Sequence, residues 1–589
     1  LVCGALVGAP GAGAKDPATT GAWSAPIAED PQFAKRPPKN IKESLKTPPA
    51  VSMAMLPDGR VIYWGGLEGL EDSVAPAALD GGRGVINSRV RLLDLRGGSP
   101  KWSVARPEDA GAHDLFCADQ RLLADGRLIA VGGTIWKPDP VDLKPVVGPD
   151  GPVRGTTELF GSNAVRTFDP DSNRWDLPKQ WMHYSRWYPT LITLPSGKLL
   201  VASGVERLLY NDKGLNVHAT ETYDPDTGRW KENEESGATS LPLFARLHVL
   251  PDGNVFYSGV GQMWGPFGQA VDEALWNVQK AYDPKQNSWT TYGIGNYGGR
   301  SGAFSVMLPL KPPYKEANIL VGGGTLGTSP GSYLANDITE IITVKDGQAT
   351  TTEGPSLNNR RWYSSGVLLP DGTVLALSGA DKDEVIFPGS ETPVTQAELF
   401  DGESWLPLAS AGRVRTYHNS AILLPDGSVL VGGHAPINAG YGAKGDNSAA
   451  PVTGTNNLKD PSFEVFKPPY LFRGPRPTID HVQKGIAWDR HFTIDTPDAG
   501  DIEKVVLTRL PSTTHVTDPD MRSVELESWA VGDEAIHVAA PPNGNVAPPG
   551  YYYLFLLSDN GEGLTPSNAR IVKVGEKSVG GEATAPMGK

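Results

Sequence analysis

The sequence has little cysteine and, after its first residues, no long apolar run. Its 589 residues contain 2 cysteines, Cys3 and Cys117, and a disulfide between them is one interpretation. No stretch beyond the N-terminus approaches the roughly 20 apolar residues that span a bilayer. Lys and Arg (53) are outnumbered by Asp and Glu (67) and form no basic cluster. This balance argues against nucleic acid and anionic membrane surfaces as partners.

The first residues, LVCGALVGAPGAGAK, are small and apolar and follow no initiator Met. We interpret residues 1–19 as the remnant of an export signal or membrane anchor, with a trimmed flexible end as the alternative. The protein is then expected outside the cell, secreted or anchored at the surface, and monomeric. In an exported chain Cys117 would lie outside any disulfide, and such an odd thiol requires an explanation.

Glycine (69) and proline (52) are abundant, which suits many tight turns between short strands. One sequence motif recurs. In it, two apolar runs flank a turn that resembles Pro-Asp-Gly, and glycines follow the second run. Asp-Gly between apolar runs predicts a β-hairpin, because Gly readily adopts the positive φ that the turn needs. The motif occupies residues 55–66, 122–133, 193–204, 249–259, 368–379 and 423–433, and residues 304–324 repeat it with a longer turn.

Many of these units carry a second hairpin that ends in Trp, such as TYDPDTGRW at 222–230. Two hairpins per unit make one four-stranded blade, and glycine pairs after the second strand are typical of kelch repeats. We therefore predict an all-β protein whose residues 20–472 form a seven-bladed kelch-type β-propeller. The strand-like segment 462–472 is expected to complete a blade with the N-terminal strand. In residues 473–574, short runs of alternating apolar and polar residues continue without the repeated hairpin motif, and this pattern predicts an immunoglobulin-like β-sandwich. Residues 575–589 are expected to form a loose tail.

A propeller does not define a function, since the fold serves enzymes and binding proteins alike. The 10 histidines form no H-x-H or H-E-x-x-H motif, so spacing alone indicates no metal site. A non-catalytic kelch propeller that binds a glycan or a protein is the main alternative to an enzyme. A glycosidase is less favoured, because no paired carboxylate phrase is found.

Four separated phrases distinguish the sequence from a generic propeller. Three lie in the propeller: HDLFC at 113–117, RWYPT at 186–190 and RTYHNSAILLPDG at 415–427. The fourth, TTHVTDPDMRSVEL at 513–526, lies in the predicted sandwich. Together and in this order they resemble the galactose oxidase and glyoxal oxidase family of copper-radical oxidases, over residues from about 50 to 575. The RWYPT phrase and the lack of a separate N-terminal sugar-binding domain are closer to glyoxal oxidases.

The resemblance implies a cofactor made from the chain's own side chains. Cys117 would form a thioether to the ring of Tyr188. One copper ion would be bound by four side chains: Tyr188, Tyr417, His418 and His515. Imidazole and phenolate oxygen are suitable ligands for Cu(II). Each residue also has an ordinary alternative, because Cys117, Tyr188 and Tyr417 could simply pack, His418 could cap a loop and His515 could lie on the sandwich surface.

The resemblance also implies the reaction. A small aldehyde, as its hydrate, or a primary alcohol would pass a proton to Tyr417, a hydrogen atom to the oxidised Tyr188–Cys117 centre and one electron to copper, and O2 would be reduced to H2O2. Glycolaldehyde or a similar compound is the first expected substrate, and a primary hydroxyl of a surface glycan the second. The family shields the cross-linked ring with an indole, for which Trp264 and Trp362 are candidates here, although both could serve only in packing.

Overall fold

The computed structural model describes residues 16–29, 48–65, 90–106, 113–137, 145–148, 151–154, 158–208, 215–263, 276–327, 333–385, 390–436 and 460–575. Regular structure in these ranges is almost entirely β. Helical turns are short, and they occupy Pro17–Thr20, Glu235–Gly237, Pro469–Phe472 and Ala499–Asp501.

Seven antiparallel sheets follow one another along the chain, each beginning with one of the predicted hairpins. We call them blades 1 to 7. Blade 1 contains the strands Ser52–Met55, Val61–Trp64, Arg91–Asp94 and Lys101–Val104. Blade 2 contains His113–Leu122, Leu128–Lys137, Val165–Asp169 and Arg174–Asp176. Blade 3 contains Thr190–Thr193, Leu199–Ala202, Glu221–Asp224 and Arg229–Glu232. Blade 2 is extended by Glu158–Gly161, Val205–Leu208 and Leu215–Asn216, and a separate hairpin pairs Pro145–Gly148 with Gly151–Arg154.

Blade 4 contains the strands Leu247–Val249, Val255–Tyr257, Val278–Asp283 and Ser288–Ile294. Blade 5 contains Phe304–Met307, Ala317–Gly322, Thr339–Lys345 and Gln348–Glu353. Blade 6 contains Ser365–Leu368, Val374–Leu377, Gln396–Phe400 and Trp405–Ser410. The strands of blade 7 are Asn419–Leu423, Val429–Gly433, Glu464–Lys467 and Ala22–Trp23. The last strand comes from the N-terminus and pairs with Glu464–Lys467 through Trp23 and Phe466. The predicted closure of the ring by the two ends of the propeller is therefore present.

Two further sheets form the C-terminal sandwich. The first contains His481–Val482, His491–Asp495, Ser528–Ala530 and Ala535–Ala539. The second contains Gly485–Ala487, Ile502–Arg509, Ser523–Leu526, Gly550–Asp559, Leu564–Pro566 and Arg570–Gly575. Their apolar inner faces, with Leu507, Ile536 and Leu554 buried between them, form one core. The predicted fold class, a seven-bladed propeller followed by an immunoglobulin-like sandwich, is confirmed, while the limits assigned to each domain stay a prediction.

In five of the seven blades, the residue at a fixed distance before the turn glycine lies at the hub, the centre of the propeller around its axis. The residue nine positions before the turn glycine lies within the inner strand in blade 2 and one to three residues before it in blades 3, 4, 6 and 7. In these five blades it has a left-handed φ although it is not glycine. These five residues are Cys117 (64°), Tyr188 (59°), Phe244 (42°), Tyr363 (58°) and His418 (53°). Such a conformation costs free energy for residues other than Gly. The repeated kink therefore gathers side chains from distant parts of the sequence on the propeller axis.

Buried ion pairs hold the segment before the inner strand in four blades, and in three of them this segment carries one of the five kinked residues. An arginine before the inner strand contacts a glutamate on the third strand and also donates to a carbonyl at the end of the second strand or directly after it. The pairs are Arg186–Glu221 (3.1 Å), Arg300–Glu340 (2.7 Å), Arg361–Glu398 (2.7 Å) and Arg415–Glu464 (3.6 Å). Removing one partner of such a buried pair costs about 3–5 kcal/mol, so the kink is well restrained.

Candidate metal centre

Five residues named from the sequence lie together at the hub. The Tyr188 hydroxyl is 3.1 Å from the Tyr417 hydroxyl and 3.2 Å from Nε2 of His418. The rings of His418 and His515 have centroids 4.7 Å apart. Sγ of Cys117 is 3.7 Å from Nε2 of His515. All five side chains are almost completely shielded from solvent.

Cys117 and Tyr188 occupy equivalent positions in adjacent blades. The backbone N–H of Tyr188 donates to the carbonyl of Cys117 at 3.1 Å, and both side chains belong to one buried cluster. Cys117 forms no disulfide among the described residues, and Cys3 lies outside them. The fold thus brings the thiol beside the phenol ring that the resemblance pairs with it.

Tyr417 and His418 enter the hub from the start of blade 7. Nδ1 of His418 lies 2.6 Å from the carbonyl oxygen of Ala435. Because a carbonyl can only accept, Nδ1 carries the proton, and the lone pair of a neutral ring is then on Nε2, the atom that faces Tyr188. The hydrogen bond fixes the tautomer that a metal ligand requires.

His515 reaches the propeller axis from the C-terminal domain. The segment Ser512–Thr514 pairs with Ser52–Ala54 as a fifth strand on the inner edge of blade 1. The chain then reverses between Thr514 and Thr517, which exchange two backbone hydrogen bonds of 3.1 and 2.9 Å. The two turn residues, His515 (φ 48°) and Val516 (φ 57°), both adopt the left-handed conformation. Asn-Gly is the usual pair there, so the fold maintains a strained turn to deliver this imidazole.

Burial in the hub favours the neutral forms of His515 and Tyr188. Burial, with smaller effects of His418 and Arg246, lowers the pKa of His515 well below its ordinary value. Burial, together with Cys117, Tyr417 and Tyr363, raises the pKa of Tyr188 well above that of a free tyrosine. A metal dication would oppose this desolvation and favour the phenolate.

The donor set itself fits copper. Two imidazole nitrogens and two phenol oxygens form a mixed nitrogen and oxygen set, which suits Cu(II). No group of three or more His, Cys, Asp and Glu side chains in the described part of the chain could hold a metal ion. The two phenols are therefore needed to complete a site here.

Aromatic rings surround the donors. The Phe116 ring packs edge-on against His418, with centroids 5.4 Å apart, and the Phe244 ring lies 4.7 Å from that of His515. Phe244 was not identified from the sequence, although its position nine residues before a turn glycine was a usable signal. This apolar wall keeps the imidazoles in place and limits access of water.

An indole covers Tyr188, and it comes from the preceding residue. Trp187 stacks on the phenol ring with centroids 3.8 Å apart and an interplanar angle of 10°. Of the two predicted candidates, Trp264 lies outside the described residues, whereas Trp362 stacks on Tyr417 with centroids 5.3 Å apart. The RWYPT phrase already contained the stacking residue, but adjacent strand residues normally point to opposite faces, and only the kink at Tyr188 allows them to stack.

Comparison with known proteins agrees with this geometry. Residues 149–470 match the family model described as glyoxal oxidase N-terminus, and residues 476–574 match that of the galactose oxidase-like early set domain. The chain is 27% identical to aldehyde oxidase GLOX of Vitis pseudoreticulata, over 78% of this chain and 82% of that one. It is also 27% identical to a WSC domain-containing protein of Arthroderma benhamiae, of which it spans less than half (46%), with 78% of this chain covered.

A solved structure shares the fold. It is described as a novel fungal alcohol oxidase with catalytic diversity among the AA5 family, in complex with copper, and it superimposes with a TM-score of 0.68 at 22% identity, over 95% of this chain and 100% of that one. The glyoxal oxidase model alone covers more than half of the 589 residues. The chain therefore belongs to the glyoxal oxidase family of copper-radical oxidases.

Proposed function

We propose that this protein oxidises a small aldehyde hydrate or a primary alcohol by two electrons and reduces O2 to H2O2. The observation that supports it most is the meeting of Tyr188, Tyr417, His418 and His515 beside the thiol of Cys117 in a buried hub. A protein that only binds a glycan or another protein does not require a buried set of potential metal ligands of this kind. A kelch propeller without catalytic activity is therefore the weaker hypothesis.

Copper would be held by the two phenols and two imidazoles, and when bound it supplies one-electron redox chemistry beside the substrate. The second redox centre is built from Cys117 and Tyr188. A C–S bond forms between Sγ and a ring carbon, while the S–H and one ring C–H are lost. Two protons and two electrons are released in this step and pass to O2, which becomes H2O2. The mature protein is thus lighter by two hydrogens.

Tyr417 is suited to act as the general base. Its hydroxyl is completely buried and lies 3.1 Å from that of Tyr188, so a proton taken from a substrate hydroxyl remains close to the reacting ring. Proton transfer by a positioned side chain contributes about 10²–10⁴-fold to a rate.

Trp187 protects the oxidised Tyr188–Cys117 centre, and its replacement should shorten the lifetime of that centre. In Trp187→Phe a smaller ring covers Tyr188, so water and reductants reach it more readily. We expect the visible absorption of the oxidised protein to decay several-fold faster than in the wild type, with copper content unchanged. Trp175→Phe is the matched control, because Trp175 is equally buried but packs against Trp64 and Phe168 in the propeller wall. Equal decay rates in the two variants would contradict this role.

Gln262 supports a hydroxylated substrate. Its side chain is 1% exposed, and neither amide atom has a hydrogen-bonding partner among the residues that the structure describes. Its backbone pairs with Leu243 through hydrogen bonds of 2.7 and 3.1 Å, and Leu243 lies in the hub cluster beside Phe244. Directly paired residues project to the same face of a ladder, so the amide is directed toward the hub. It offers both a donor and an acceptor, as the two hydroxyls of a hydrated aldehyde require.

Replacing Gln262 should separate stability from substrate binding. A buried polar group without a partner costs about 1–3 kcal/mol, so Gln262→Leu should raise the melting temperature. The same variant should raise KM for hydrated glycolaldehyde by roughly tenfold, the effect of one lost hydrogen bond to substrate, and kcat should change less. An unchanged KM would show that the amide does not contact substrate.

The substrate class is tested by peroxide release. Copper-loaded protein is supplied with air and with glycolaldehyde, simple primary alcohols or galactose-terminated glycans, and peroxide is measured. We expect the highest kcat/KM for the small hydrated aldehyde. Fully cross-linked, copper-loaded protein that releases no peroxide from any of them would overturn the proposal.

The protein is expected to act outside the cell, as a monomer. No helix in the described ranges combines the length and the apolar character that a membrane crossing requires. Anchoring through the N-terminus remains a prediction, since residues 1–15 lie outside those ranges.

A further inference from the structure

A buried ion pair lies two residues from Cys117 on the same strand. Both Asp119 and Arg121 are completely shielded from solvent. Nη1 of Arg121 is 3.0 Å from Oδ1 of Asp119, and Nη2 donates to Oδ2 at 3.1 Å. This two-point contact fixes the orientation of both side chains.

The pair joins the three segments that carry Cys117, Tyr188 and His515. Asp119 and Arg121 lie on the same strand as Cys117, two and four residues after it. Oδ2 of Asp119 accepts a hydrogen bond from the backbone N–H of Leu191, three residues after Tyr188, at 2.7 Å. Nη1 of Arg121 donates to the carbonyl of Ser512, three residues before His515, at 3.0 Å.

Neighbouring contacts continue this connection. The Gln120 side chain donates to the carbonyl of Thr513 at 2.8 Å, and the Ser512 hydroxyl donates to the carbonyl of Gln120 at 2.9 Å. The strand that carries Cys117 is thus bound through Gln120 and Arg121 to the segment that carries His515.

Blades 3 and 7 make the equivalent connection without charge, whereas in blade 4 the guanidinium of Arg246 donates to the carbonyl of Ala303 at 3.2 Å. Two residues after the hub position, Thr190 donates to the carbonyl of Ala245 at 3.0 Å, and Ser420 donates to the carbonyl of Val51 at 2.9 Å. A single hydroxyl is therefore enough to join adjacent blades. A buried ion pair contributes little net stability for its desolvation cost, so its presence next to Cys117 points to a requirement for precise geometry.

We propose that Asp119 and Arg121 are positioning residues that hold Sγ of Cys117 in register with the Tyr188 ring so that the thioether can form. This inference rests on the proposed function. A covalent bond forms only when the reacting atoms meet at close range and in the right orientation. The ion pair restrains the thiol, the phenol and the His515 segment against one another before that bond exists.

The test measures cross-linking rather than turnover. Metal-free protein is mixed with Cu(II) in air, and the loss of two hydrogens is followed by mass spectrometry over time. In Asp119→Asn the carboxylate is lost while the side-chain volume is kept. We expect cross-linking to slow by roughly 10–100-fold, the usual effect of disturbing residues that orient a metal site.

Glu340→Gln is the matched control. Glu340 forms the same kind of buried pair with Arg300, at 2.7 Å, in blade 5, but it contacts none of the cofactor segments. It should lower the melting temperature and leave the cross-linking rate unchanged. If Asp119→Asn cross-links at the wild-type rate, the pair is merely structural and the inference is wrong.

A second variant keeps the test decisive if Asp119→Asn does not fold. Arg121→Lys retains the charge but cannot contact Asp119 and Ser512 through a planar fork. It should slow cross-linking by a smaller factor, and an unchanged rate would again contradict the inference. Wild-type protein that takes up copper but never loses two hydrogens would instead overturn the proposed function.

Discussion

Cys117→Ser protein should bind copper and yet remain an inactive oxidase. The hydroxyl of serine cannot form the thioether, so the mass of the protein should not fall by two hydrogens after incubation with Cu(II) and air. The four proposed ligands are untouched, and copper binding should persist. Because the two-electron reaction then lacks its second redox centre, we expect peroxide release at background level, a loss of at least about 10³-fold, comparable to removing an essential catalytic group.

The stability of this variant provides its control. Cys117 is a small buried side chain, and serine differs from it mainly by a hydroxyl that lacks an assured partner, a cost of about 1–3 kcal/mol. The variant should therefore fold, with a modestly lower melting temperature. Substantial peroxide release by folded Cys117→Ser protein would show that the sulfur is not part of the redox centre.

His515→Ala protein should lose most of its affinity for copper. The substitution removes one of two proposed nitrogen ligands, and we expect the dissociation constant for Cu(II) to rise by at least about 100-fold, since changes to residues that merely orient ligands already cost 10–100-fold. Nitrogen hyperfine structure in the Cu(II) electron paramagnetic resonance spectrum should report one imidazole instead of two. Cross-linking should slow in parallel with the loss of copper.

His248→Ala is the matched control for this experiment. His248 is also buried, and burial, aided by Arg522 and Arg246, lowers its pKa to about 3. It hydrogen-bonds to Ser305 at 2.8 Å in the wall of the propeller instead of facing the hub. Its replacement should leave copper affinity and the spectrum unchanged. Equal losses in the two variants would indicate general damage to the fold and contradict the assignment of His515.

The fold could be predicted in detail because each blade is marked by a motif that lies within one short stretch of sequence. The Asp-Gly turns, the paired apolar runs and the terminal Trp of the second hairpin are signals within about a dozen residues. The unit at 304–324 lacks the Asp-Gly turn, but its paired apolar runs and the glycines after them still identify it as a blade. The closure of blade 7 could be predicted because the sequence has one strand-like segment at each end of the propeller that belongs to no complete blade. In the structure Glu464–Lys467 pairs with Ala22–Trp23.

The site was less predictable, since its residues meet only in three dimensions. No spacing joins Cys117 to His515, and a resemblance to known sequences was needed to select them. The fixed distance to the turn glycine would have added Phe244 and Tyr363 to the hub. Trp187 escaped notice because its contact depends on the left-handed backbone of Tyr188, which the sequence pattern does not indicate.

The insertion of Ser512–Thr514 beside blade 1 has a consequence for biosynthesis. A growing polypeptide exposes Tyr188 to its surroundings long before residue 515 has been translated, and until then the hub holds an incomplete set of donors. Copper captured early would meet only part of the set. We therefore expect peroxide chemistry to begin only after the domain that carries residue 515 has docked on the first blade.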